Sequence, residues 1–290
     1  MAFEIFSMPN FPIVDTHLHL WDLGRLRYPW LASVPRLNRN HLIDDYRRAC
    51  GPVQVAKMVF VQCECDPALS QQEADWVTKI TRVDPRIRGI VARAPLERGD
   101  AANGALAALA ANPLVKGIRR LIQSDADDAF CLRPDFVRGV QLLPRHGLTF
   151  DLCIFHRQLA NTIQLVQQCP NVTFILDHIG KPDIKAGRLD PWRADLRALA
   201  ALPNVWCKLS GLVTEADFTK WTAADLRPYL DHVIDCFGFD RVMFGGDWPV
   251  STQACDYPRW VATLDEALRG CTPDELHRVY VRNAESFYRV

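Results

Sequence analysis

The 290-residue chain has no excess of charge of either sign: 34 lysines and arginines stand against 34 aspartates and glutamates. Nucleic-acid and membrane-surface binders usually carry a basic excess or stripe, so neither partner is expected. No apolar run approaches the roughly 20 residues of a membrane span. The opening Met-Ala-Phe-Glu-Ile-Phe-Ser-Met-Pro lacks a basic segment followed by a long apolar stretch, so no secretory leader is expected there. Nothing like Gly-x-Gly-x-x-Gly follows the first strand-like run, which weakens a dinucleotide site; no organic cofactor is expected. Internal repeats, low-complexity tracts and interdomain linkers are missing as well. Close-spaced cysteine pairs are scarce. Of ten cysteines only Cys63 and Cys65 stand near each other, with no second pair at zinc-site spacing. Scattered through apolar segments (Cys153, Cys169, Cys207, Cys236), they read as buried free thiols of a reducing cytoplasm rather than a disulfide scaffold.

What is present is enough apolar material for one large core: 49% of residues are hydrophobic, and residues 1–290 read as a single domain. Short β-rich apolar runs occur at 12–18, 57–63, 87–93, 115–122, 148–155, 172–177, 204–209 and 241–246. Between them lie segments with helical spacing. Ser70 with Glu73 three residues on predicts a capping box, followed by Ala74, Val77 and Ile80 on one face. Asp190-Pro191 predicts an N-cap and a first helical residue, with Trp192, Leu196 and Leu199 inward. Thr272-Pro273-Asp274-Glu275 predicts another capping box, leading to Leu276, Val279, Ala284 and Phe287. Eight strands alternating with helices in about 250 residues predict an α/β protein of the (β/α)₈ TIM-barrel type. Residues 21–50, rich in Trp, Tyr, Pro and Arg, are expected to form an irregular insertion over the barrel mouth.

The most informative local pattern is Ile-Val-Asp-Thr-His-Leu-His-Leu-Trp-Asp at 13–22. Alternate side chains of a strand share a face, so His17 and His19 point one way and Leu18 and Leu20 the other. Two imidazoles at a strand end make a half-site for a metal or a polarised carbonyl. Barrel chemistry sits where the strands end, and the polar residues collect there: Glu64, Arg119, His156, His178, Lys208 and Asp247. Each also has a structural reading. Arg119 could be a salt-bridged core residue, Lys208 could snorkel to the rim, His156 could belong to a solvated loop, and Glu64 could pair with Arg119. The glycines before Asp247 allow close approach of backbone or ligand. Convergence on one rim favours chemistry over eight independent structural accidents.

Asp-Thr-His-Leu-His-Leu-Trp-Asp, Gly-Ile-Arg-Arg, Asp-His-Ile-Gly-Lys-Pro, Lys-Leu-Ser-Gly and Phe-Gly-Gly-Asp-Trp-Pro together resemble the amidohydrolase superfamily. Within it they resemble the branch of sugar lactonases, L-fuconolactonase-like, and pyrone-dicarboxylate lactonases, from about residue 12 onward. The resemblance implies a barrel that opens a lactone ring, with Asp247 as general base on the attacking water. His17, His19 and His178 would polarise the carbonyl or, with Asp247, hold one divalent ion, zinc first among candidates. Arg119 and Lys208 would hold the carbonyl oxygen, a hydroxyl or a carboxylate. Many binuclear members carry a bridging Lys or Glu on strand four. Here that place holds Arg119, whose fixed charge repels a second cation, so the expectation is one metal or none.

Lactone opening needs a base, an oxyanion stabiliser and a proton for the leaving alkoxide, and this residue set can supply all three. His156, Glu64 and Trp30 suit an uncharged polyol, which favours a sugar lactone such as L-fuconolactone over a dicarboxylated pyrone. Rival readings are a metal-dependent non-oxidative decarboxylase on the same barrel, a Schiff-base lyase through Lys208, and a non-catalytic carbohydrate binder. Nothing in the sequence assigns an oligomeric state.

Overall fold

A computed structural model describes residues 9–290; residues 1–8, which carry most of the segment read for a leader, lie outside the described residues. Eight parallel strands follow one another around a ring in chain order: β1 (Ile13–Leu18), β2 (Val55–Val61), β3 (Ile87–Ala92), β4 (Val115–Ile118), β5 (Thr149–Leu152), β6 (Phe174–Leu176), β7 (Val205–Leu209) and β8 (Val242–Phe244). The seam between last and first strands is closed beyond β8, where Asp247 N–H donates to His17 O at 2.8 Å and His19 N–H to Trp248 O at 2.8 Å. The expected (β/α)₈ barrel is what the chain forms. Several strands stop earlier than their apolar runs.

Alternation along the strands sorts side chains between two cores. Met58, Phe60, Phe150, Leu152, Phe174, Leu176, Cys207 and Leu209 face the helical shell. Val59, Val61, Val91, Ile175 and Met243 face the lumen, where they pack against Ala284, Phe287 and Tyr288 of the helix Asn283–Tyr288. That helix plugs one end of the barrel and leaves the other end for the site.

Two helix starts differ from expectation. The helix Ser70–Ile80 is entered through a short 3₁₀ turn, Pro67–Leu69, capped by Asp66, whose carboxylate accepts from Ala68 N. Glu73 therefore does not close a capping box. It points inward and is buried, with both carboxylate oxygens 3.3 Å from Cys63 N, and burial pushes its carboxyl up to about 8. The helix Trp192–Ala200 begins one residue later than expected, and the Asp190 carboxylate pairs with Arg193 instead of capping. Its inward face of Trp192, Leu196 and Leu199 is as expected, and the Thr272 capping box forms.

Residues 21–50 are partly regular, with a 3₁₀ turn at Pro29–Ser33 and a helix at Ile43–Ala49. Trp30 Nε1 donates to Cys63 O at 2.8 Å beyond β2, and Arg36 donates to Gln253 O at 3.0 Å beyond β8. The segment therefore bridges two loops at the strand ends.

Candidate active site

β1 delivers His17 and His19 with their Nε2 atoms 3.2 Å apart. His19 Nδ1–H donates to Val61 O at 2.7 Å, so its Nε2 is a free lone pair. His178 enters from beyond β6, and its Nδ1 lies 2.9 Å from Ser210 Oγ. Asp247 enters from beyond β8, its Oδ1 standing 3.8 Å from His17 Nε2, 3.6 Å from His19 Nε2 and 4.0 Å from His178 Nε2. The sequence-read quartet thus converges on one carboxylate oxygen. Gly245 and Gly246 serve protein packing rather than ligand approach. A Cβ on Gly245 would lie 2.8 Å from His17 Cβ, and one on Gly246 would lie 2.5 Å from Asp15 Oδ2.

Burial is the dominant force on all three imidazoles and lowers their pKa values, that of His178 to about 4, so they are neutral acceptors near pH 7. Burial also acts to raise the Asp247 pKa, but the surrounding His178, His19 and His17 outweigh it and hold the carboxyl well below the usual range.

The quartet forms one wall of a pocket of about 240 Å³ whose lining includes His19, Trp21, Trp30, Cys63, Glu64, Arg119, Gln123, Cys153, His178, Lys181 and Asp247. Of the expected substrate-binding residues, Arg119, Glu64 and Trp30 line it. Glu64 accepts from Gln62 Nε2 at 2.8 Å and faces Arg93 at 4.0 Å rather than Arg119. Arg119 NH1 reaches both His17 Nε2 and Asp177 Oδ2 at 3.2 Å.

Lys208 and His156 are placed elsewhere. The Lys208 side chain is wholly buried beneath His17. Its Nζ lies 2.6 Å from Asp151 Oδ2, 3.0 Å from Asp177 Oδ1 and 3.3 Å from His17 Nδ1. A ligand in the pocket does not reach it, and neither does a carbonyl seeking a Schiff base. Tyr288 OH completes this layer, donating to Asp151 Oδ2 at 2.8 Å. Lys208, Arg119, Asp151 and Asp177 sum to zero formal charge, which is what makes their burial tolerable. Burial raises the Asp151 pKa. Burial would raise that of Asp177 too, but Lys208 and His17 outweigh it and hold it down. His156 is outside the pocket lining, and its Nδ1–H donates to Lys181 O at 2.9 Å.

Sequence reasoning missed Asp15, Asp151, Asp177, Lys181, Ser210 and Tyr288. For the barrel interior a signal existed. Asp151 sits between Phe150 and Leu152, and Asp177 follows Leu176, so each is a charge in the lumen-facing phase of an apolar run.

The donor set fits a single metal ion. Two nitrogens each ~2.0–2.1 Å from a tetrahedral zinc stand about 3.3 Å apart, close to the 3.2 Å between His17 and His19 Nε2. His17, His19 and Asp247 form one candidate triad, and His17, Asp177 and His178 another that shares His17. Arg119, 3.2 Å from His17 Nε2, occupies the space beside it with positive charge.

A model of the family described as Amidohydrolase matches residues 14–290. The chain belongs to the amidohydrolase family. Among its relatives, an L-fucono-1,5-lactonase of Burkholderia multivorans is 35% identical over 264 residues, 87% of each chain. An L-fucono-1,5-lactonase of Burkholderia ambifaria is 30% identical over 286 residues, 96% of this chain and 95% of the relative. The crystal structure of an amidohydrolase from Burkholderia multivorans with bound zinc superposes with a TM-score of 0.86 at 30% identity, covering 97% of this chain and 100% of that one.

Proposed function

We propose that this amidohydrolase opens the ring of a sugar lactone, L-fuconolactone or a related aldonolactone, to the sugar acid. The observation that carries the reading is a carboxylate, Asp247, held at 3.6–4.0 Å from three neutral imidazoles in a small pocket with two tryptophans. The two lactonase relatives support it. At about 240 Å³ the pocket lies below the ~300–1,000 Å³ of drug-sized sites, which suits one sugar ring. Its lining pairs Arg119 and Lys181 with Glu64 and Asp247, so formal charge cancels. That balance favours an uncharged polyol over a dicarboxylated pyrone.

In this mechanism Asp247 orients the attacking water and accepts its proton. A carboxyl held well below the usual range is ionised and only a modest base, so the water must be polarised at the same time. Arg119, on the wall beside His17, is positioned to stabilise the tetrahedral oxyanion. A divalent ion held by His17, His19 and Asp247, or with His178, would supply Lewis acidity there. Asp247, now protonated, returns that proton to the departing alkoxide, directly or relayed through a neighbouring imidazole. Lys208 and Asp177 fix His17 from below. The test is acid release, followed with a pH indicator, from a panel of sugar lactones and carboxylated pyrones. Fast hydrolysis of a stereochemically related subset of sugar lactones is expected. A flat response across the panel overturns the reading and makes decarboxylation the next assay.

A further inference from the structure

His178, Ile179, Gly180 and Lys181 are four consecutive residues with positive φ, 52°, 51°, 75° and 48°. They make one turn of left-handed backbone. A β-branched Ile there is costly, on the order of 1–3 kcal/mol for each strained residue, and such strain persists only where the surroundings enforce it.

The surroundings do enforce it. Lys181 N–H donates to His178 O at 2.9 Å, Trp192 Nε1 to Ile179 O at 2.8 Å, and the His156 ring to Lys181 O at 2.9 Å. In a turn of either hand, residues three apart share a face. Here the shared face puts both His178 and Lys181 into the pocket.

Lys181 is a pocket cation whose ammonium donors are all uncommitted. Its side chain is only 14% exposed, and its nearest acid, Glu215 Oε1, is 3.9 Å away, beyond hydrogen bonding. Among the described residues its ammonium makes no hydrogen bond. Phe155 lies under it, 5.4 Å from Nζ to the ring centroid. Arg119, by contrast, has NH1 on His17 and Asp177 and NH2 on Gln62 O, which ties its guanidinium to the wall beside His17 and leaves its buried Nε–H without a partner.

Resting on the lactonase reading, we propose that Lys181 is a substrate-contacting residue that donates to ring hydroxyls away from the scissile carbonyl. His156 is its positioning residue. The substrate class this selects is a lactone carrying hydroxyls, as opposed to a bare ring. The left-handed turn thus joins a reacting-centre imidazole and a specificity contact in four residues.

The experiment compares L-fucono-1,5-lactone with unsubstituted δ-valerolactone. Lys181→Met is expected to lower kcat/KM about 10- to 100-fold on the sugar lactone, the scale of one charge-assisted hydrogen bond, and less than about threefold on δ-valerolactone. Equal losses on both substrates, or none on either, overturn the proposal. His156→Leu should reproduce the hydroxyl-selective loss, and His156→Asn, which keeps an N–H donor, should restore much of it. A non-selective loss in His156→Leu, or none, removes the positioning role. Wild-type protein inert to both lactones would count against the lactonase reading itself. The lysine is then judged by titrating L-fuconate against the fluorescence of Trp21 and Trp30: binding weakened in Lys181→Met supports the contact, and no Lys181-dependent change overturns it.

Discussion

Asp247 illustrates how opposing forces are settled at a single residue. Burial alone would raise its pKa, but three imidazoles within 4.0 Å, once protonated on acidification, oppose its protonation and hold the carboxyl well below the usual range. Replacing it by Asn preserves shape and removes the proton acceptor. Turnover of Asp247→Asn is expected to fall ~10²–10⁴-fold, with an unchanged circular dichroism spectrum; a variant keeping most of its turnover would remove Asp247 from the role of base. Arg119 sets a second expectation. Its guanidinium beside His17 leaves room for one cation, so calorimetric titration with zinc should saturate at no more than one equivalent, and His17→Asn should abolish that binding. Two equivalents would show that Arg119 moves aside. Gly211 is a further sensitive point, because a Cβ there would lie 2.4 Å from His178 Nδ1. Gly211→Ala should cost about 10²-fold in kcat by displacing that ring, checked by steady-state kinetics.

At the scale of elements, the strands carry charges inward and the final helix receives them. Asp151 from β5, Lys208 from β7 and Tyr288 from the helix Asn283–Tyr288 meet below His17. Tyr288→Phe leaves Asp151 short of a donor and should cost about 1–3 kcal/mol in urea unfolding. A variant of unchanged stability would show that Lys208 alone satisfies Asp151. Much of the ring was legible because alternation of apolar runs and helical spacing is a local signal. His17, His19, His178 and Asp247 were legible because each stands at the end of such a run. What escaped depends on tertiary placement. Glu73 has the spacing of a capping box, yet a 3₁₀ turn capped by Asp66 enters the helix first and frees Glu73 to turn inward. Lys208 looks like a rim residue in sequence. Only the length of β7, ending at Leu209, shows that its ammonium lies beneath the imidazoles. The left-handed turn at His178–Lys181 has a single glycine and no sequence signature of its strain.

For the molecule as a whole, buried ionisable groups shape the response to pH. Burial raises Glu73 from 4.5 to about 8, so the folded state binds its proton more tightly than the unfolded chain. Stability from this group is therefore greatest at low pH, declines as pH rises from about 4.5 to about 8, and is level above that. Glu73→Gln removes the decline, so its unfolding free energy from urea titration should gain on wild type between pH 5 and pH 9, by an amount on the order of a few kcal/mol. An equal gap at both pH values would clear Glu73 of responsibility.

The seam between β1 and β8 joins Thr16 Oγ1 to Phe244 O across 228 positions of chain, and Asp247 reaches the histidines only through that junction. The reacting centre has no local precursor: neither end of the ring holds half of it in working order. During refolding, catalysis should be the last property to return, lagging behind helix content and tryptophan burial. Turnover would then mark ring closure itself, because an open ring of packed strands would pass every spectroscopic test of order and still be inert.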